Sequence, residues 1–169
     1  MSRLPPALLS PWIPSLLAAG IAVAAVVSGL DAPLVEDSLF WWVPKALLAM
    51  EQGPAATYAH TLPDAVTAGL TPETTPPQWA GGLPDYAHPT LWYLWLAGWL
   101  SVGQTVQVVH LACIVPAVLA ALGFVEVGGR LGNRWAGLVP LAMPPVLAQM
   151  LLPELDLPLL AIVPWALLA

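Results

Sequence analysis

An uncharged stretch near the amino terminus, residues 4–30, constrains the chain most strongly. As an α-helix, residues 8–30 would extend about 34 Å, and the hydrocarbon core of a membrane is about 30 Å thick. A secretory signal peptide is the alternative, because Arg3 and the small residues around Ser28 would suit one. Its apolar region usually has only about 7–15 residues, however. We therefore expect a first membrane span at residues 8–30.

The composition favours an integral membrane protein. Hydrophobic residues make up 59% of the 169 residues and charged residues 8%, whereas soluble domains have roughly 45–50% and about 25%. Four Lys and Arg against ten Asp and Glu give a net charge of −6, which excludes a basic surface for nucleic acid. Cys113 is the only cysteine, which excludes a disulfide framework and a thiolate metal cluster.

Residues 31–105 are expected to form a large external loop that bears two short surface helices. The first helix is predicted at residues 38–52, with Asp37 as its cap and Gly53 at its end, although Pro44 counts against it. The second is predicted at residues 91–103. It contains four aromatic residues and, at about 20 Å, is too short to cross a membrane. Between the two helices, turns rather than regular structure are expected.

Two further spans, at residues 106–128 and 135–153, and the start of a fourth from residue 157 are predicted after the loop. The turn between the second and third spans carries Arg130 and Arg134, which the positive-inside rule places in the cytoplasm. The predicted fold is therefore an all-α, polytopic transmembrane protein. Because the sequence stops within the fourth segment, we expect it to be the amino-terminal part of a longer protein and inactive on its own.

This topology brings two acidic groups to the same outer surface. Glu36 and Asp37 follow the first span, and Glu154 and Asp156 follow the third. Carboxylates beside an apolar phase can accept a proton from a hydroxyl or hold a divalent cation. Helix capping or simple hydration is the alternative explanation for each acid, and both interpretations stay open.

Two other residues could meet a phosphate group at the lipid boundary. His88 directly precedes the second surface helix, and an imidazole there can bind a phosphate or a metal. Lys45 could pair with a lipid phosphate from the first surface helix. The alternatives are an ordinary loop histidine and a lysine that snorkels to water beside Trp41.

Four segments resemble the polytopic C-type glycosyltransferases that use a polyprenyl-phosphate sugar, which include protein mannosyltransferases and aminoarabinose transferases. Residues 36–46 (EDSLFWWVPKA) resemble the acidic motif that opens the family's first external loop. Residues 85–93 (DYAHPTLWY) are similar to its Tyr-x-His-Pro-Pro-Leu-x-Tyr segment, with Thr90 in place of the second proline. Residues 130–138 are similar to its cytoplasmic turn, and residues 149–158 to the exit of its third span.

The resemblance implies an inverting glycosyltransferase that moves a sugar from a polyprenyl-phosphate donor to a lipid, glycan or protein acceptor. It implies cell-envelope glycosylation at the outer face of a membrane, such as the cytoplasmic membrane of a bacterium. An acid of the first motif would be the catalytic base. Because the chain has Glu-Asp where the family often has Asp-Glu, Glu36 and Asp37 are both candidates, and Asp37 keeps the spacing to Lys45.

The remaining implied site residues would bind the acceptor or the donor phosphate: Lys45, Tyr86, His88 and Asp156. A divalent cation is a possible cofactor, with Asp156 as a ligand. The alternative functions are a transporter or flippase without enzymatic activity and an accessory membrane protein. Transporters usually carry acids within their spans, and the first and third predicted spans have none, which favours chemistry at the surface.

Overall fold

Helices account for the regular structure, and no β-strand occurs in the part of the chain that the structure describes. The computed structural model describes residues 10, 12–34, 42–53, 90–151 and 156–169. The predicted all-α class is therefore confirmed. One described helical stretch, Val106–Arg130, is long and apolar enough to cross a membrane. The chain divides into two compact units, residues 33–112 and residues 1–32 together with 113–169.

In chain order the α-helices are α1 (Trp12–Ser28), α2 (Val43–Gln52), α3 (Thr90–Leu100), α4 (Val106–Ala112), α5 (Ile114–Arg130), α6 (Pro144–Leu151) and α7 (Asp156–Ala166). Two 3-10 helices occupy Arg134–Leu138 and Pro140–Ala142. Helices α2, α3 and α4 belong to the unit of residues 33–112, and the other elements belong to the second unit.

In the second unit, α1 and α7 pack on α5 through small residues. The buried residues of α1 follow a helical repeat: Pro14, Ala18, Ala22, Ala25 and Val26. The buried residues of α5 are also mostly small: Pro116, Ala117, Ala120, Ala121, Gly123, Val125 and Gly128. At Gly123 an added Cβ would lie only 2.7 Å from Cβ of Pro164 in α7. Small side chains let the helix backbones approach closely, as they do between membrane helices.

Many large apolar side chains of this unit lie on the outside, although Leu141, Met150 and Leu157 are buried. Leu16 of α1 is 71% exposed and Ile162 of α7 is 60% exposed, whereas Ala18 and Ala22 are fully buried. A soluble helix shows the opposite arrangement, with its large apolar residues on the buried face. The helices of this unit therefore present an apolar exterior.

A tight turn ends α5. Gly132 has φ +95°, which glycine adopts without strain. The amide of Asn133 donates to the carbonyl of Gly128 at 2.8 Å, and the amide of Gly132 donates to that of Gly129 at 3.1 Å. These two bonds form a Schellman motif. The Asn133 side chain then accepts a bond from the amide of Trp135 and begins the first 3-10 helix.

The segment predicted as a third span, residues 135–153, is not a single helix. It contains the two 3-10 helices and the eight-residue helix α6. The reason is its prolines: Pro140 begins the second 3-10 helix, and Pro144 begins α6. A proline suits the first turn of a helix but disrupts a helix interior.

In the unit of residues 33–112, the two predicted surface helices are present as α2 and α3, and they pack on each other. Pro44 lies in the first turn of α2, where its missing N–H is not needed. Gly53 ends the helix with φ +89°, as predicted. The predicted start at residue 38, with Asp37 as cap, lies outside the described residues, and Trp42 is the residue that precedes α2.

The predicted second span is interrupted between α4 and α5 at Cys113. Pro116 has no amide hydrogen to donate to the carbonyl oxygen of Ala112, four residues earlier, so one bond of the helix is missing. Regular bonding resumes with the amide of Ala117, which donates to the carbonyl of Cys113 at 3.0 Å.

Candidate functional site

Of the six predicted site residues, the structure describes Lys45 in full. Asp156 begins α7, but only its backbone is described. The other four, Glu36, Asp37, Tyr86 and His88, lie outside the described residues. Lys45 is therefore the starting point for the candidate site.

Lys45 lies near the start of α2, and its side chain is only 5% exposed. Its Nζ is 5.3 Å from the centroid of the Tyr93 ring, within the range of cation–π attraction. Tyr93 belongs to α3 and is also buried. The alternative prediction that Lys45 snorkels to water is therefore wrong, because its side chain is buried.

Trp42 and Trp92 form the second contact between these helices. Their ring centroids are 5.5 Å apart and their planes meet at 86°, which is a favourable T-shaped arrangement. Both side chains are buried, with 0% and 7% exposure. Within the described part of the chain, no hydrogen-bond acceptor meets Nε1 of either tryptophan. In a T-shaped pair at most one indole can point its N–H at the other ring, so at least one buried donor requires an acceptor.

We refer to Trp42, Lys45, Trp92 and Tyr93 as the tryptophan–lysine cluster. Its members lie at the beginnings of two helices, α2 and α3. The backbone of Trp42 is itself helical, with φ −77° and ψ −49°. The cluster thus combines a buried ammonium group with two buried indole N–H groups.

The predicted catalytic motifs lead directly into this cluster. Asp37 precedes Trp42 by five residues, and His88 precedes Trp92 by four. At about 3.6 Å per residue, the covalent chain allows at most about 18 Å between the first two Cα atoms and about 14 Å between the second two. The contact between Trp42 and Trp92 therefore joins the ends of two motifs that are about fifty residues apart in the sequence.

In the other unit, the carboxyl ends of α1 and α6 lie together. An added Cβ at Gly29, just after α1, would overlap the carbonyl group of Leu151, the last residue of α6. Asp156 follows Leu151 by five residues and begins α7. The absence of a side chain at Gly29 therefore lets the end of α1 approach the end of α6 closely.

An ion pair between Arg134 and Glu126 lies at the turn that follows α5. It was not predicted from the sequence. Arg134 donates from Nη2 to Oε2 of Glu126 at 2.7 Å, and each side chain is about one-third exposed, at 34% and 35%. The tight turn after Arg130 brings the side chain of Arg134 back over Gly129, within reach of Glu126.

A metal site is predicted only through Asp156, whose side chain is not described. Among the described side chains, no group of three or more His, Cys, Asp or Glu residues could hold a metal ion. Trp42 and Trp92 were not among the residues predicted for the site. The run of aromatic residues before Pro44 was the available signal, but it did not indicate which indole would be buried.

The sequence was compared with protein-family models, with curated proteins and with solved structures. No family model matches the chain. No curated protein and no solved structure matches it either. The candidate site is therefore interpreted from its own residues, and it consists of the tryptophan–lysine cluster at the joined beginnings of α2 and α3.

Proposed function

We propose that the chain is part of a membrane-embedded, inverting glycosyltransferase that takes a sugar from a polyprenyl-phosphate donor. The acceptor is a lipid, a glycan or a protein at the outer face of the membrane. The proposal combines the motif resemblance at residues 36–46 and 85–93 with the geometry of the described helices.

The distribution of residue sizes supports a location within the membrane. Large apolar side chains such as Leu16 and Ile162 are exposed, while the contacts between helices use alanine and glycine. Water would oppose this arrangement, because it exposes apolar area at a cost of about 25 cal/mol per Å². Lipid removes that cost and leaves close helix packing as the stabilising contribution.

The observation that carries the proposed activity is the contact between Trp42 and Trp92. Trp42 belongs to the motif of residues 36–46 and Trp92 to the motif of residues 85–93, so their contact joins the two motifs. The covalent chain limits Asp37 to about 18 Å from Trp42 and His88 to about 14 Å from Trp92, and Lys45 lies in the same first motif. A glycosyltransferase needs this combination, because a base must act close to the group that stabilises the departing phosphate.

In the proposed reaction, Asp37 accepts the proton of an acceptor hydroxyl group, and Glu36 is the alternative base. The hydroxyl oxygen attacks the anomeric carbon of the donor sugar and forms the new glycosidic bond. The bond between this carbon and the phosphate oxygen breaks, and polyprenyl phosphate leaves with the electron pair. Lys45 and His88 offset its negative charge, and Tyr86 and Asp156 bind the reacting molecules. Because the displacement occurs in one step, the configuration of the sugar inverts.

The test is sugar transfer by the full-length protein with Asp37→Asn, compared with Glu36→Gln. General-base assistance is typically worth about 10²–10⁴-fold, so we expect Asp37→Asn to lower kcat by that amount while the protein still inserts into the membrane. Glu36→Gln is the matched control and should keep most of the activity. Full activity in Asp37→Asn and loss in Glu36→Gln would assign the base to Glu36, and full activity in both would refute the proposed chemistry.

A further inference from the structure

The turn that follows α5, residues 130–135, contains one arginine that the protein does not neutralise. We call these residues the arginine turn. Arg134 donates to Glu126 at 2.7 Å, so an acid of the same unit balances its charge. Arg130 is the last residue of α5 and is exposed. Its guanidinium group makes no hydrogen bond or ion pair with any residue that the structure describes, and its charge is therefore available to a partner.

Two large apolar side chains in the same turn are exposed as well. Leu131 is 82% exposed and Trp135 is 38% exposed. Between them the chain reverses at Gly132, where no described atom lies within 4 Å of the position of an added Cβ. The tip of the turn therefore presents a cation together with apolar surface, a combination that fits an anion joined to hydrocarbon better than a free anion.

The position of the turn along the chain places it at a membrane boundary. Arg130 ends the helical stretch Val106–Arg130, which is long and apolar enough to cross a membrane. An arginine at the end of such a stretch reaches the headgroup region, and tryptophan is enriched at the same level. The positive-inside rule assigns this boundary to the cytoplasmic leaflet. This placement rests on the membrane location in the proposed function and on none of its chemistry.

We propose that the arginine turn binds an anionic phospholipid of the cytoplasmic leaflet. The guanidinium group of Arg130 pairs with the lipid phosphate, to which its planar fork can donate two parallel hydrogen bonds. Leu131 and Trp135 contact the glycerol and the first carbons of the acyl chains. Glu126 limits the positive charge of the turn, because it is paired with Arg134.

The charge of the whole chain requires such a site to be local. A net charge of −6 gives no general attraction to an anionic surface, so a preference for anionic lipid has to come from the turn itself. An acidic protein segment would match the charge of Arg130 equally well. A lipid is the better match, because phosphate groups are already concentrated at the headgroup level and hydrocarbon would cover Leu131.

The experiment measures the affinity of the purified full-length protein for phosphatidylglycerol, titrated into detergent micelles and read by native mass spectrometry. Phosphatidylcholine is the zwitterionic reference lipid. One basic residue at a membrane surface changes lipid affinity about fivefold. Arg130→Gln should therefore weaken phosphatidylglycerol binding about fivefold and leave phosphatidylcholine binding unchanged. Arg130→Lys keeps the charge without the planar fork and should lose less than Arg130→Gln.

Glu126→Gln should have the opposite effect. It removes the negative charge that is paired with Arg134, so the net charge of the turn rises by one and phosphatidylglycerol binding should strengthen about fivefold. Glu51→Gln is the matched control. Glu51 is an exposed acid of the unit of residues 33–112, which the proposed topology places at the opposite face of the membrane, and its replacement should leave lipid binding unchanged.

Equal affinities of the unmodified protein for the two lipids would overturn the inference and would favour an acidic protein as the partner of Arg130. Unchanged phosphatidylglycerol binding in Arg130→Gln would overturn it too. Equal gains in Glu126→Gln and Glu51→Gln would show a general effect of charge instead of a local site. Glycerol 3-phosphate, which lacks acyl chains, should not displace the lipid at equal concentration, and displacement would contradict the contact with hydrocarbon.

The binding assay separates this inference from the proposed reaction. If Asp37→Asn transfers sugar normally while Arg130→Gln loses its preference for phosphatidylglycerol, the proposed base is wrong and the lipid site stands. If Asp37→Asn abolishes transfer while Arg130→Gln keeps that preference, the reaction stands and the lipid site is wrong.

Discussion

The indole of Trp95 donates a hydrogen bond of 2.8 Å to the carbonyl oxygen of Ala112. This carbonyl is the one that Pro116 leaves without a helical partner, because proline has no amide hydrogen. Residues 101–105 connect α3 to α4. Trp95 lies six residues before Ser101 and Ala112 lies seven residues after Thr105. Because these two residues are bonded to each other, α3 and α4 form a helical hairpin. The bond thus attaches the aromatic helix α3 to the break in the longest apolar helical stretch.

The first prediction concerns this bond. Trp95→Phe should lower the free energy of unfolding by about 1 kcal/mol or somewhat more, because it leaves the Ala112 carbonyl without a partner. Pro116→Ala should restore an amide donor to the same carbonyl. In the Pro116→Ala background Trp95→Phe should therefore cost clearly less. Denaturant unfolding of the four variants in detergent measures the coupling.

Equal costs of Trp95→Phe in the two backgrounds would contradict this explanation. Trp99→Phe is the control, because Trp99 packs against the Trp95 ring at 6.1 Å without bonding to Ala112. Its cost should be the same with proline or alanine at position 116.

The sequence was sufficient to predict the elements that depend on local chemistry. Gly53 ends α2 because glycine adopts a positive φ at low cost, and Thr90–Leu100 is helical because it is a short apolar stretch that follows Pro89. The division of residues 135–153 was not predicted. There the overall hydrophobicity suggested a span, but Pro140 and Pro144 begin new helices instead of lying within one.

The second prediction concerns the close approach of α5 and the following 3-10 helix. An added Cβ at Gly137 would overlap the carbonyl oxygen of Phe124 and the Cα of Val125. These are backbone atoms that cannot move without disturbing α5, so Gly137→Ala should destabilise the protein by about 2–3 kcal/mol. Thermal unfolding in detergent measures the effect.

Gly20→Ala is the matched control for that substitution. Gly20 lies within α1, and no atom approaches the position of an added Cβ within 4 Å. Alanine there should raise stability by about 0.5–1 kcal/mol, because it restricts the unfolded chain and favours the helix. Similar effects of the two substitutions would show that the packing at Gly137 is not as close as described.

The third prediction concerns the ion pair between Glu126 and Arg134. Because each side chain is about one-third exposed, Glu126→Gln should cost no more than about 1 kcal/mol. Its cost should decrease when the salt concentration rises to about 1 M, where the screening length is about 3 Å. A cost that does not depend on salt would contradict an electrostatic role. Arg130→Gln is the control, since Arg130 is exposed.

The fourth prediction concerns the sidedness of the chain. Val102 and Leu131 are nearly equally exposed, at 83% and 82%, and the proposed topology places them on opposite sides of the membrane. In a variant with Cys113 replaced by alanine, a membrane-impermeant maleimide added outside the cell should label Val102→Cys and leave Leu131→Cys unlabelled. The reverse pattern would place the arginine turn outside and refute the proposed topology.

The candidate site depends on contacts that a single sequence does not specify. Trp42 and Trp92 lie far apart in the chain, and each belongs to a run of several aromatic residues with similar surroundings. Which tryptophan becomes buried depends on how α2 meets α3, and this is a property of the packing. The same reason explains why Lys45 was equally compatible with snorkelling until its contact with Tyr93 was known. The catalytic motifs themselves remain predictions from the resemblance.

The most direct test of the account asks whether the two motifs meet at one place. In the full-length protein without Cys113, the double variant Asp37→Cys and His88→Cys is treated with a flexible bis-maleimide and then cleaved within residues 54–84 by an inserted protease site. We predict that the two fragments stay joined, and that adding Trp42→Ala and Trp92→Ala strongly reduces the cross-link. Fragments that separate completely, in a protein that both single-cysteine variants show to be accessible, would contradict the account.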